Sequence, residues 1–143
     1  MVVLRFEKGE RFPEAFQNWL GGKKIEGAFF YGIGGATIIR CSFYDLESRK
    51  YHPREFSDNH FEILQITGNV ARFKDGLKIH AHLTFAGNDF KSFGGHLDWL
   101  EVGGTLEIYM QRLKPLKRKE DADTGIALLE EGKMKSEKRK TKV

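Results

Sequence analysis

The run IEGAFFYGIGGATIIRCSFYDLE, residues 25–47, is long, rich in β-branched and aromatic residues, and carries a glycine cluster at its centre. Residues of this kind suit a pleated, half-buried surface. Glycines inside such a run ask for a bend or a bulge. The run is therefore read as two strand pieces meeting at Gly32-Ile33-Gly34-Gly35. Around it, VVLRFE (2–7), HFEILQITGNVARF (60–73), LKIHAHLTFA (77–86) and GGTLEIYMQRL (103–113) read as further strands, the second kinked at Gly68. KDG (74–76) is a turn, and GNDFKSFGG (87–95) is a loop of turn-forming residues. KYHPREF (50–56) reads as an edge strand, because Pro53 has no N–H to give to a ladder.

One stretch breaks the pattern. Phe12, Phe16, Trp19 and Leu20 fall at helical spacing, Pro13 suits a first turn, and Gly21-Gly22 stop the helix. The expected fold is thus α+β: a mostly antiparallel sheet with one main helix packed on it, followed by a basic C-terminal tail. With 143 residues the chain fits one domain. The domain is expected over 1–113, and 114–143 is expected to be a charged extension holding a short helix from Asp123 or Thr124 and a disordered end.

Charge divides along the same line. Residues 1–110 carry 13 Lys/Arg against 14 Asp/Glu, while residues 111–143 carry 11 against 6. The body, at −1, is not a basic nucleic-acid-binding surface; the tail, at +5, holds the basic character. The single cysteine, Cys41, cannot pair internally and reads as a buried thiol. No apolar run is long enough to span a membrane, and MVVLRFEKGE lacks the features of a signal peptide, so a cytoplasmic location is expected and no membrane partner.

Three of the five histidines lie in HAHLTFAGNDFKSFGGHL, residues 80–97. His80 and His82 share one strand face, and Gly94-Gly95 allow close backbone approach or a positive φ just before His96. Two readings stand for the trio: three ligands of a Zn²⁺ with an open position, or a polar pocket in which the imidazoles satisfy one another. Glu62 and Glu107 sit among apolar neighbours on strands. Each either serves this pocket as a carboxylate or faces solvent on an alternating strand. YGIGGAT fails the dinucleotide fingerprint, since Thr37 stands where the third glycine belongs. No phosphate-binding loop or nucleophilic triad has a local signature either. His52 and His60 read as surface residues. Lys133, Lys135, Lys138, Arg139, Lys140 and Lys142 form a basic run, either solvated or a salt-sensitive, sequence-blind contact to phosphates.

FEILQITGNV, KIHAHLTFAG, FGGHL and TLEIYMQRL, in that order, resemble the plant and prokaryote conserved (PPC) domain, also called the domain of unknown function 296. The likeness runs from about Leu4 to Leu113, and DADTGIALL is similar to the ending of stand-alone prokaryotic members. The resemblance implies an antiparallel α+β fold assembled as a homotrimer. It also implies that His80, His82 and His96 are candidate metal ligands and that Glu62 matches the family's strand glutamate. Two departures stand out: Asn59-His60 replace a Gly-Arg of plant members, and no Arg-Gly-Arg-Pro AT-hook is present. The function implied is a trimeric, non-enzymatic, DNA-associated or regulatory binding protein, with the basic tail as a non-specific DNA contact. The alternative is a Zn-dependent enzyme or small-molecule binder built on the three histidines.

Overall fold

The computed structural model describes residues 1–130. Nine strands and one helix follow in chain order: β1 (Val2–Glu7), β2 (Arg11–Phe12), α1 (Glu14–Leu20), β3 (Gly27–Asp45), β4 (Lys50–Phe56), β5 (Phe61–Phe73), β6 (Gly76–Ala86), β7 (Ser92–Arg112), β8 (Arg118–Glu120) and β9 (Ala127–Leu129).

The expected α+β class is overturned. The fold is mostly antiparallel β, and the one helix among the described residues is seven residues long. Pro13 and Gly21 bound it on either side, so Phe16 and Leu20 are all that it buries. Two turns cannot cover a sheet; they add two side chains to a core that the sheet makes for itself.

The sheet does so by closing. β3 pairs with β5, β5 with β6, β6 with β7, and β7 returns to pair with β3. Closure protects β3, β5, β6 and β7 from the exposed edges of an open sheet and leaves β1 and β4 at the ends of the strand order. β3 and β7 each serve two neighbours because both are long and bent. The register slips between Gly32 and Gly34 against β5, and again between Gly34 and Ala36 against β7. The bend expected at the glycine cluster falls there, but within one continuous strand rather than between two pieces. β4 pairs with β3 alone, with Pro53 opposite Ser42, as expected of an edge strand.

Inside the closed sheet Phe12, Phe16, Phe30, Phe85, Leu100, Leu106, Ile108 and Met110 are fully buried. Phe16 meets Phe30 edge to face at 5.3 Å and stacks on Phe12 at 5.6 Å. Such ring pairs add about 0.5–1.5 kcal/mol each beyond the area they bury. Cys41 is a buried free thiol, and burial pushes its pKa up. No helix among the described residues is long and apolar enough to cross a membrane.

The described part of the segment after Leu113 packs back against the body. The backbone N–H of Arg72 donates to the Leu116 carbonyl, and β8 and β9 pair as a small antiparallel hairpin. Among the described residues the short helix expected from Asp123 or Thr124 is not formed; Ala127–Leu129 is a strand. Ala127 is buried, so an extended segment that lays one side chain inward satisfies this stretch better than a helix. The expected disordered end lies largely in 131–143, outside the described residues.

Candidate metal centre

The histidines meet on the outer face of the closed sheet. In β6 the core takes Ala81, Leu83 and Phe85, so the alternation turns His80 and His82 the other way. The register sets His82 opposite His96 of β7, and His96 opposite Ser42 of β3. His80 stands opposite Asn69 of β5. Gly94 and Gly95 belong to β7 itself and not to a ligand loop. A Cβ at Gly94 would come within 2.7 Å of the Leu83 carbonyl oxygen, and one at Gly95 within 3.0 Å of that of Ser42. The pair of glycines lets β7 pass between β6 and β3, which is what brings His96 to the other two.

One ring nitrogen from each histidine lies within 4.8 Å of the others. The Nε2 atoms of His80 and His82 are 3.2 Å apart. Two nitrogens bound to one tetrahedral Zn²⁺ at about 2.1 Å stand about 3.4 Å from each other, so this pair already has the required spacing. His96 closes the set with a small inward shift. His80 and His96 are partly buried, while His82 is exposed, leaving one side of the cluster open.

Electrostatics keep the rings in the ligating form. Burial lowers the pKa of His80 to about 4, helped by the Arg118 guanidinium and then by His96 and His82. Burial also lowers His96, with His82 next in effect. Metal ligands must be neutral imidazoles; His80 is neutral well below physiological pH, and His96 is shifted in the same direction. The same shift bears on stability. Between about pH 4 and pH 6.5 the unfolded chain binds a proton at His80 that the folded chain does not, so stability rises with pH across that window. The contribution is complete above pH 6.5 and is lost as the pH falls toward 4. Melting temperature measured from pH 7 to pH 4.5 is expected to fall less steeply for His80→Phe than for the native chain; identical slopes would remove His80 as a cause.

Arg118 reaches the cluster from β8. Its Nη2 donates to His80 Nδ1 at 3.1 Å and to Asn69 Oδ1 at 2.9 Å, while Nη1 donates to the Ala127 carbonyl at 2.7 Å. A guanidinium only donates, so His80 Nδ1 accepts and the neutral ring carries its proton on Nε2, toward His82. Metal-bound histidines normally donate their second N–H to an oxygen. A metal on His80 Nε2 would move the ring proton to Nδ1, where a donor already stands. The three nitrogens fit a metal; Arg118 must then withdraw from His80.

The other expected residues lie elsewhere. Glu62 is opposite Ala86, about 13 Å along β6 from His82 at ~3.3 Å per residue, and it is exposed. Glu107 is in the far half of β7, opposite Arg5 and Ile33. Among the described residues the cluster contains no carboxylate. Alternation placed both glutamates on the outer face, where solvent satisfies them without a histidine. His52 and His60 are exposed, as read. Lys133, Lys135, Lys138, Arg139, Lys140 and Lys142 lie outside the described residues. Sequence reading missed Arg118, which hides in a charged run, and Asn69, whose cross-strand place opposite His80 depends on register.

A closed antiparallel sheet carrying three convergent histidines on its outer face defines a β-protein with a built candidate metal site. The profile of the Plants and Prokaryotes Conserved (PCC) domain matches residues 1–114, and the chain belongs to that family. Among solved structures, a plant- and prokaryote-conserved (PPC) protein from Pyrococcus horikoshii is similar at 29% identity and TM-score 0.85, covering 93% of this chain and 92% of its own. A metal-containing protein from Archaeoglobus fulgidus is similar at 28% identity and TM-score 0.82, covering 90% and 91%. A protein from Ralstonia eutropha JMP134, described as a candidate DNA-binding protein, is similar at 27% identity and TM-score 0.83, covering 89% and 88%. No curated protein matches the chain in sequence.

Proposed function

We propose that this chain is a homotrimeric, cytoplasmic metal-binding protein in which His80, His82 and His96 hold one Zn²⁺ and leave a coordination position open to a small ligand. The observation that carries the reading is the approach of the three ligand nitrogens to within 4.8 Å. The similarity to an archaeal protein described as metal-containing supports it. Imidazole ligands suit Zn²⁺, which in such a setting acts as a Lewis acid on whatever occupies its open position. Protein purified without a histidine tag and titrated with Zn²⁺ tests it: one ion per chain with a raised melting temperature is expected, and no heat of binding with no thermal shift overturns it. Replacing Arg118 by Gln, which can accept from His80 Nδ1–H, is expected to tighten Zn²⁺ several-fold in the same titration. An unchanged or weaker affinity would contradict the opposition between Arg118 and the metal.

Trimerisation has its own support. Phe29, Tyr31 and Ile33 are 44%, 43% and 53% exposed on the outer face of β3, and Tyr31 stacks on Tyr109 at 5.3 Å. Val3, opposite Tyr109, extends the patch at 61% exposed. A contiguous apolar face of this kind marks an interface. Light scattering is expected to report a three-chain mass, and Ile33→Arg a single-chain mass; a monomeric native chain at micromolar concentration excludes the trimer.

A second reading, DNA association through the basic tail, is favoured by the tail's +5 charge and by the description of the Ralstonia protein. A chain ending at Glu130 keeps the β8–β9 hairpin and loses the basic run. It is expected to lose low-salt affinity for duplex DNA, while the full chain's affinity falls steeply with salt and ignores sequence. Equal binding by both chains would exclude the tail as the contact.

A further inference from the structure

Beside the histidines, and on the side away from His82, lies a cavity of about 320 Å³. Its polar wall is made by Tyr51, Asn69, Lys78, His80, His96 and Arg118. Its other wall is apolar and comes from Ile126 to Leu129 in and before β9. At about 30 Å³ per water the space holds roughly ten waters, which is small even for a metabolite site.

The charge in this cavity is one-sided. Arg118 and Lys78 both line it, and among the described residues neither has a carboxylate within ion-pair distance. Arg118 spends its Nη atoms on two oxygens and a ring nitrogen, and its buried Nε has no hydrogen-bond partner at all. Lys78 only rests near the Phe73 ring at 5.1 Å. Two part-buried cations side by side, neither of them ion-paired, are costly, because each has lost solvent and repels the other; Glu120, itself bound to Lys74, attracts Lys78 only from beyond ion-pair distance. A guanidinium offers a fork that matches a carboxylate in two parallel hydrogen bonds. The apolar wall opposite excludes a bare, fully hydrated ion and favours a short hydrocarbon body.

We propose that this cavity is a binding subsite for a small organic carboxylate. The carboxylate is held by Arg118 and Lys78, the short apolar body lies against Ile126, Leu128 and Leu129, and the far end of the molecule points at the histidine cluster. The inference deepens the metal-binding reading and rests on it for the role of that far end. It also gives Arg118 somewhere to go: the Nη2 that metal capture displaces from His80 turns to the ligand. Carboxylate and Zn²⁺ then favour each other's binding by the same factor.

The test uses the full chain, with isobutyrate as probe, isobutyramide as its neutral counterpart and inorganic phosphate as a bare anion. Each is titrated by calorimetry and by ¹H–¹⁵N NMR into Zn²⁺-loaded and metal-free protein. Isobutyrate is expected to bind, with shifts at Tyr51, Asn69 and Leu128 and at least tenfold more tightly than either comparison compound. Arg118→Gln and Lys78→Met are each expected to weaken isobutyrate at least tenfold. Arg118 also ties β8 to β5, so the Lys78→Met variant, which loses only the contact of Lys78 with the Phe73 ring and no hydrogen bond or ion pair between strands, keeps the test sound if Arg118→Gln unfolds. Equal binding of isobutyrate and isobutyramide, or native affinity in Lys78→Met, overturns the proposal. A chain that takes up Zn²⁺ but no isobutyrate also overturns it and leaves the metal reading intact. A chain that binds isobutyrate through Lys78 but takes up no Zn²⁺ supports the subsite and removes the metal reading.

Discussion

Replacing His82 with alanine is expected to reduce bound zinc from about one ion per chain to less than about a tenth, with little change in the fold. The two halves of that expectation come from one observation. His82 is the exposed member of the trio, so its removal opens no core cavity and costs only the hydrogen-bond partner of His80 Nε2, on the open side of the cluster. Yet its Nε2 stands 3.2 Å from that of His80, the spacing closest to a shared ion. Two remaining imidazoles do not make a three-ligand site. The native chain should gain about 4 kcal/mol of apparent stability when free Zn²⁺ reaches a thousand times its dissociation constant. For a chain of this size that is roughly 10 °C in melting temperature. His82→Ala should melt at the native apo temperature and show none of this gain. A variant that still takes up stoichiometric zinc would remove His82 from the ligand set.

Gly68→Val should show a large loss of stability, about 3 kcal/mol or more, because the obstruction is backbone. A Cβ at Gly68 would collide with the His80 carbonyl oxygen and with the Phe30 ring, whose terminal carbon would be 2.6 Å away. Gly68 lies opposite both Phe30 of β3 and Ala81 of β6, so the clash cannot be relieved by turning one side chain. If β6 moves, it carries His80 and His82 with it. Chemical denaturation should therefore register a lower midpoint, and zinc titration at least a tenfold weaker affinity. Native stability in this variant would mean that β5 and β6 are further apart than described.

Several elements were legible in the residues because their causes are local. The alternation in LKIHAHLTFA turned His80 and His82 to one face, and the structure has them there with Ala81 and Leu83 buried between and beyond them. Pro53 marked an edge strand, since a missing N–H acts wherever the residue sits. Gly32 to Gly35 marked the bend in β3, since a missing Cβ acts just as locally. The helix was over-read. Phe12, Phe16 and Leu20 do face the core, but helical spacing reports which side chains turn inward and not how many turns follow. Gly94 and Gly95 were read toward a loop, whereas they are strand residues without a Cβ because two neighbouring backbones leave no room for one.

By itself, then, the chain's local chemistry determined strands, turns, an inward-facing apolar set and an outward-facing pair of histidines. Tertiary structure alone decided the rest. The closure of β3, β5, β6 and β7 into a ring depends on pairings between residues tens of positions apart, and periodicity carries no partner. That closure brought His96 opposite His82 and sent Glu62 and Glu107 away from them. It also let Arg118, in a stretch that reads as solvated charge, fold back onto His80 and Asn69. A side chain's face is set by its own strand, at short range and without reference to the partner. Its neighbours across the sheet are set by register, which is fixed only when the whole core closes.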